Sequence, residues 1–268
     1  MSRASLPMYD LPEVAWATDA WWAGLARAFA REGVADVPRD LTRGGDLSAV
    51  WLGPDLLLSQ TCGYPLTHAL KGRLRVVATP VYASPSCQGP DYCSLIVVRE
   101  SDPARGLDDL RGRVAAFNDP GSQSGYSALR AAIAPLAEEG RFFARAVRSG
   151  GHANSLDLVA RGEADVCAVD CVTYMLLARY RPAAVAGLRA LARSPAAPGL
   201  PYVTRAGADD DLVARLRRGL FAALADPDLA AAREALLIDG AEVLPEAAYQ
   251  RIIDIERQAQ ALGYARVA

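Results

Sequence analysis

The sequence predicts an α/β fold, mostly parallel sheets covered by helices. Apolar strand-like runs and amphipathic helical runs alternate along the 268 residues, joined by short loops. That is the pattern of successive βα units. Apolar residues make up 51% of the chain and charged ones 22%, enough apolar surface for a substantial core and too much for a disordered chain. Polar clusters follow the apolar strand runs directly, where an open α/β sheet collects its ligand residues. A chain of this length makes one large domain or two small ones.

Residues 5–11 read as a short first strand with Tyr9 near its end, and 18–31 as a helix with Trp21, Trp22, Leu25 and Phe29 on overlapping faces, stopped by Gly33. Residues 40–42 form a brief strand and 47–51 the end of a short helix, before the turn at Gly53-Pro54. A buried strand at 56–59 leads into Gln60, Thr61, Cys62, Gly63 and Tyr64. A helix over 65–71 and a buried strand over 74–80 follow, then a loop rich in turn formers from Tyr82 to Asp91. Residues 92–99 are a strong strand run, 107–110 a short helix, 114–117 a buried strand and 126–136 a helix. Beyond these come strands at 141–147, 165–169, 188–193 and 202–205, and helices at 155–161 and 172–180. The remainder reads as helical, over 210–225, 227–236 and 245–262.

Composition excludes several functions. The net charge is −2 and the only lysine is Lys71, so the chain lacks the basic surface that neutralises phosphates along nucleic acid. The long uncharged run 56–70 is interrupted by Ser, Gln, Thr, Pro and His and does not suit a bilayer, so no membrane insertion is expected. The first residues show no apolar leader, so the chain is expected to be cytoplasmic as written, or exported with a leader absent here. Five cysteines and two histidines, with no Cys-x-x-Cys pair, give no metal motif and no cofactor. In an oxidising compartment one disulfide between two of Cys62, Cys87 and Cys93 is open; the alternative is that each cysteine is a small buried apolar residue.

The turn over 118–130 carries the most chemistry. A strand ends in Asn-Asp-Pro-Gly-Ser-Gln-Ser-Gly and a helix begins. The N–H groups and dipole at a helix start favour an anion. Ser122 and Ser124 add hydroxyl donors, and Gly125 allows close approach to the backbone. The alternative is an ordinary turn with a serine cap. His152 follows Gly150-Gly151 ahead of a helix, and Asp170 closes a buried strand; each serves either as a ligand contact or as a local structural group, Asp170 as a helix cap.

Seven segments together carry a resemblance. They are 59–65 (Ser-Gln-Thr-Cys-Gly-Tyr-Pro), Pro80-Val-Tyr, Tyr92-Cys-Ser, Leu110-Arg-Gly, Ser122-Gln-Ser-Gly, 149–155 (Ser-Gly-Gly-His-Ala-Asn-Ser) and 162–170 (Gly-Glu-Ala-Asp-Val-Cys-Ala-Val-Asp). Over roughly 55–182 the chain resembles the phosphonate/phosphate substrate-binding proteins of ABC transporters, in the type II periplasmic binding protein superfamily. The resemblance implies two α/β lobes, 1–94 plus 203–268 and 95–202, with hinge crossings near Ser94-Leu95 and ahead of Tyr202 and a ligand cleft between them. It implies a phosphoryl group held at the turn by Ser122, Gln123, Ser124 and Gly125. Tyr9, Tyr82 or Tyr92, with His152, would complete the cage, and Thr61 and Asp170 join the candidate set. It implies a small anionic solute, ABC transporter membrane subunits as partners, no catalysis and a periplasmic setting. The chain departs from the pattern in lacking an export signal, and at Gln123, where a hydroxyl residue is common; the second departure leaves ligands other than a phosphonate open. Two other functions stay open: a cytoplasmic enzyme of cofactor biosynthesis on the same fold, with Cys62 and His152 as nucleophile and base, and a ligand sensor.

Overall fold

In the computed structural model, which describes residues 2–268, the expected alternation is present with shifted boundaries. Strand β1 (Arg3–Ser5) begins two residues before the expected 5–11 and shares only Ser5 with it, leaving Tyr9 outside; Pro7 has no N–H to continue a ladder. Helix α1 (Ala15–Arg31) buries Trp21, Trp22, Leu25 and Phe29, and the chain leaves it through Gly33 at φ 75°, a left-handed conformation that glycine adopts without strain. The strand expected at 40–42 does not form; that stretch is irregular. Helix α2 (Leu47–Trp51) is capped by Asp46, whose carboxylate accepts from the Ser48 N–H. Strand β2 (Leu56–Gln60) is wholly buried. Helix α3 (Gly63–Thr67) starts two residues earlier than expected and ends sooner, and β3 (Leu74–Tyr82) runs two residues longer.

The strand expected over 92–99 is broken at Cys93 into β4 (Asp91–Tyr92) and β5 (Ser94–Arg99). Strand β6 (Val114–Phe117) falls where expected. The helix after it opens with a π-helical turn, Gln123–Ser127, and continues as α4 (Ala128–Ile133). Strand β7 (Arg145–Arg148) begins four residues late, and α5 (His152–Ala160) begins three residues early, so that His152 is its first residue. Then come β8 (Val166–Asp170), α6 (Cys171–Tyr180), β9 (Leu188–Arg193), the two-residue β10 (Ala197–Pro198) and β11 (Tyr202–Arg205). Helices α7 (Asp210–Ala225) and α8 (Ala230–Ala235) follow. Between the second and third helices expected in the tail, where no element was expected, lies a strand, β12 (Ile238–Glu242), before α9 (Gln250–Ala261). The turn into it is made at Leu237, which takes a left-handed φ of 58°; no glycine marks it in the sequence. Among the described residues no helix is long and apolar enough to cross a membrane.

The chain divides into two compact units, residues 2–83 with Gly199–Glu246, and Ser84–Pro198 with Ala247–Ala268. The first holds a five-stranded sheet in the order β1-β2-β11-β3-β12 and the second one in the order β7-β6-β8-β5-β9, with β10 and β4 paired separately. The expectation of mostly parallel strands needs correction. β1 runs parallel to β2, and β6 to β7 and β8, but β11 is antiparallel to both β2 and β3, β12 to β3, and β5 to both β8 and β9. A crossover helix makes successive strands parallel; β5 and β11 enter their sheets from outside such a unit and are free of that constraint.

The last segment also groups differently from expectation, which put all of 203–268 with the first unit. Helix α9 packs against α4 and β10, and Tyr264 and Val267 join the core built by Ile96, Leu129, Ile133 and Val166. Arg130, 3% exposed, pairs through its guanidinium with Glu256 at 3.0 Å and donates to the Ala265 carbonyl at 3.0 Å. Residues 247–268 therefore belong to the second unit.

Candidate functional site

In the second unit the parallel strands β6, β7 and β8 all end at one edge of the sheet, and antiparallel β5 begins there, with Ser94 opposite Asp170. Four of the candidate segments meet this edge. The Ser124 Oγ lies 2.9 Å from His152 Nε2, so two residues 28 apart in sequence and carried by different helices share a hydrogen bond. The Ser94 hydroxyl donates to the Ser124 carbonyl at 2.8 Å, and the Ser94 N–H donates to the Ser194 hydroxyl at 2.9 Å, which fixes the π-helical turn against the sheet. Ser149 holds the loop ahead of His152: its hydroxyl donates to the Phe117 carbonyl at 3.1 Å and meets the Ser155 hydroxyl at 2.6 Å.

His152 keeps part of its surface open, yet the ring is packed among protein atoms. Desolvation lowers the imidazole from 6.5 to about 4, against an opposing pull from the Ala168 backbone. The ring is therefore neutral at pH 7, a partner in neutral hydrogen bonds.

The structure separates the two serines of the turn. Ser122 is engaged within it: its Oγ accepts from the Gly125 N–H at 3.1 Å and from the Asn118 amide at 3.0 Å, the geometry of a helix cap. Gly125 has a local reason as well, since a Cβ there would stand 1.9 Å from Asn118 Oδ1. Gln123 is buried at the first position of the π-helical turn. One carboxylate oxygen of Asp170 accepts from the N–H groups of Val172 and Thr173, at 2.8 and 3.0 Å, so the capping role is filled at the same edge. Tyr92 is buried in the β4–β10 pair, opposite Ala197.

In the first unit the other candidates gather in the same way. Tyr9 follows β1, Gln60 ends β2 with Thr61 directly after it, and Tyr82 ends β3. The rings of Tyr9 and Tyr82 meet edge to face with centroids 5.0 Å apart, and the Gln60 amide donates to the Tyr82 hydroxyl and the Leu200 carbonyl, both at 2.9 Å. Thr61 is fully buried, its N–H donating to the Pro201 carbonyl at 3.2 Å. Tyr9, Gln60 and Tyr82 line a cavity of about 20 Å³ with Trp21 and Tyr202, room for one water molecule. The sequence reading missed Tyr202 and Trp21 here. Tyr202 stands opposite Gln60 at the start of β11 and accepts from the Trp21 indole N–H at 3.0 Å; burial pushes its phenol up. The only sequence signal was an aromatic residue opening a strand after a proline-rich stretch.

Neither the disulfide alternative nor a metal centre is present among the described residues: all five cysteines are free thiols, and no group of His, Cys, Asp or Glu is arranged to hold a metal ion. Cys87 lies next to Cys171, outside the three cysteines considered for pairing.

The fold has known counterparts. The chain is similar to a binding-protein component of an ABC phosphonate transporter from Pseudomonas aeruginosa, at 18% identity and TM-score 0.78 over 98% of this chain and 87% of that one. It is similar to PhnD1 from Prochlorococcus marinus, solved with methylphosphonate, at 14% identity and TM-score 0.78 over 97% and 98%. XAC2383 from Xanthomonas citri, solved with ATP, matches at 17% identity and TM-score 0.72 over 98% of each chain. No curated protein matches at a significant level. The family model for the phosphonate periplasmic substrate-binding protein of ABC transporters matches residues 54–249. That model describes binding proteins and no catalyst, and it spans most of the chain: the protein belongs to the phosphonate family of ABC-transporter substrate-binding proteins.

Proposed function

We propose that this binding protein captures a small phosphonate- or phosphate-like anion, and that Ser124 and His152 hold it with the N–H groups at the start of the π-helical turn. The observation that carries this reading is the Ser124 Oγ to His152 Nε2 contact of 2.9 Å at a helix start, where the N–H groups and dipole favour an anion. A neutral imidazole and neutral hydroxyls bind an oxyanion without burying an ion pair, whose desolvation would offset much of its attraction. Tyr9, Gln60 and Tyr82 form a second polar and aromatic cluster, in the first unit, which we carry as a further set of candidate contacts to the solute. Thr61, Tyr92, Gln123 and Asp170 take supporting places beside these two clusters. The transporter partner and the periplasmic setting come with the family and are carried to this chain as part of the same reading.

The test is thermal unfolding with methylphosphonate, inorganic phosphate and sulfate as separate probes. A ligand that binds only the folded state raises the melting temperature, and a phosphorus anion should do so more than sulfate. Ser124→Ala should weaken binding by about 3- to 10-fold, the loss of one neutral hydrogen bond, and leave the ligand-free melting point near wild type. Ser122→Ala should lower the ligand-free melting point instead, through a lost cap of about 1 kcal/mol. Wild-type affinity in Ser124→Ala, or no response to any of the three anions, would place the site elsewhere. The resemblance also implies closure of two lobes on the solute, and small-angle scattering at saturating ligand should then show a smaller radius of gyration.

A further inference from the structure

Three of the five cysteines converge in the second unit. Cys87 lies in the loop between β3 and β4, Cys93 in the break between β4 and β5, and Cys171 opens α6. The Cys87 and Cys171 sulfurs are 3.6 Å apart. The Cys171 N–H donates to the Cys93 carbonyl at 3.1 Å, and the Cys93 thiol donates to the Ser86 carbonyl at 3.4 Å. Cys93 and Cys171 are buried, while Cys87 is half-buried and opens the cluster to solvent. Two sulfurs in contact, with a third cysteine beside them, form a group that nothing in solute binding uses.

The three sulfurs are unequal. The contact with Cys87, and after it the neighbouring Cys93, holds the Cys171 thiol well below the usual range for cysteine; the same contacts push Cys87 and Cys93 up. A helix start favours the same ionisation. Cys171 is the sulfur whose ionisation is favoured, and the Cys87 sulfur stands 3.6 Å from it, which is the arrangement of an attacking and a resolving cysteine.

We propose that Cys87 and Cys171 are a redox modification site, closed to a disulfide by a small peroxide. The Cys171 thiolate attacks one peroxide oxygen and the O–O bond breaks. Cys171 becomes a sulfenic acid and hydroxide leaves, to be protonated to water. The Cys87 sulfur then attacks the sulfenic sulfur, the S–O bond breaks, and the Cys87 proton leaves with the hydroxyl as a second water. Two thiol sulfurs are oxidised by two electrons in all, and the peroxide is reduced to two waters. The bond ties the loop after β3 to the first turn of α6, directly beside the Asp170 cap. It joins residues 84 apart in sequence, a long loop whose closure restricts the unfolded chain strongly.

The experiment exposes the fully reduced protein to a small excess of hydrogen peroxide, blocks remaining thiols, and maps the peptides by mass spectrometry. The expected product is a cross-linked pair carrying Cys87 and Cys171, formed ahead of any modification of the fully buried Cys167 and reversed by dithiothreitol. The oxidised protein should melt several degrees above the reduced one, and amides of the loop after β3 should exchange more slowly. In Cys87→Ser the cross-link should disappear and Cys171 should advance to sulfinic acid. A cross-link that joins other cysteines, or an unmodified Cys171 at large peroxide excess, would overturn the proposal. So would Cys171 reaching sulfinic acid in the wild type without passing through a disulfide.

Discussion

Ser122 and Ser124 stand two residues apart in one turn, yet one is satisfied by the turn's own backbone and the other faces His152. Sequence spacing named both as anion donors and left a cap as the alternative; the structure shows the cap geometry at Ser122 and the histidine contact at Ser124. His152 was legible as a candidate because it follows Gly150-Gly151 and precedes a helix. Its contact with Ser124 was not, since the two meet only through the pairing of β6 with β7. The packing of its ring has a measurable consequence. The unfolded chain takes up a proton at this histidine below about pH 6.5, whereas the folded protein resists until about pH 4. The unfolded state thus binds more protons in that window, and stability falls as pH drops through it. His152→Gln should remove this contribution. The difference in unfolding free energy between wild type and variant should be constant above about pH 6.5 and shift in the variant's favour between pH 6.5 and 4. Parallel denaturant titrations at stepped pH check this; a constant difference across the window would contradict the packing of the ring.

Helix packing in the first unit turns on two glycines that the sequence left unmarked. A Cβ on Gly219 of α7 would meet the Phe29 ring of α1 at 2.5 Å and the Phe29 backbone nitrogen at 3.2 Å, and one on Gly24 of α1 would meet the Leu229 side chain at 2.2 Å. Both glycines lie inside helices, where alanine is intrinsically better by about 1 kcal/mol. Overpacking a close helix contact costs about 1–3 kcal/mol and outweighs that gain at Gly219, because part of the obstacle is backbone. Gly219→Ala should therefore lower the urea midpoint with little change in slope; a raised midpoint would mean that α1 and α7 can separate. At this scale the sequence read the helices well, since their apolar stripes repeat over several turns. It missed β12, whose Ile-Asp-Gly-Ala-Glu run has weak strand propensity and exists because the long β3 offers it an edge.

At the scale of the whole molecule the C-terminal segment decides how the chain is divided. Arg130 and Glu256 meet with side-chain exposures of only 4% and 13%, so their pairing replaces water on both. Removing one partner strands a buried charge, which costs about 3–5 kcal/mol. Glu256→Ala should accordingly destabilise the second unit by an amount of that order, whereas Glu256→Gln, which can still accept a hydrogen bond, should cost less. Hydrogen exchange resolved by segment checks both the size and the place: α4 and β8 should lose protection before α1 and α7. Equal loss in both units would show that they unfold as one.

The sequence by itself determined the α/β class of the fold, most of its strands and helices, the family and the polar clusters at strand ends. These rest on composition, on local periodicity and on short motifs, each motif confined to a short stretch and the family legible only from several of them taken in order. Tertiary structure alone decided the insertion of β11 between β2 and β3 and the return of α9 to α4. It also decided the Ser124–His152 pair, the Tyr9–Tyr82–Gln60 cluster and the gathering of Cys87, Cys93 and Cys171. Each of these joins residues tens of positions apart. Such contacts are selected by which strands share a sheet edge, a choice made by the summed burial of whole elements and carried by no single stretch of chain.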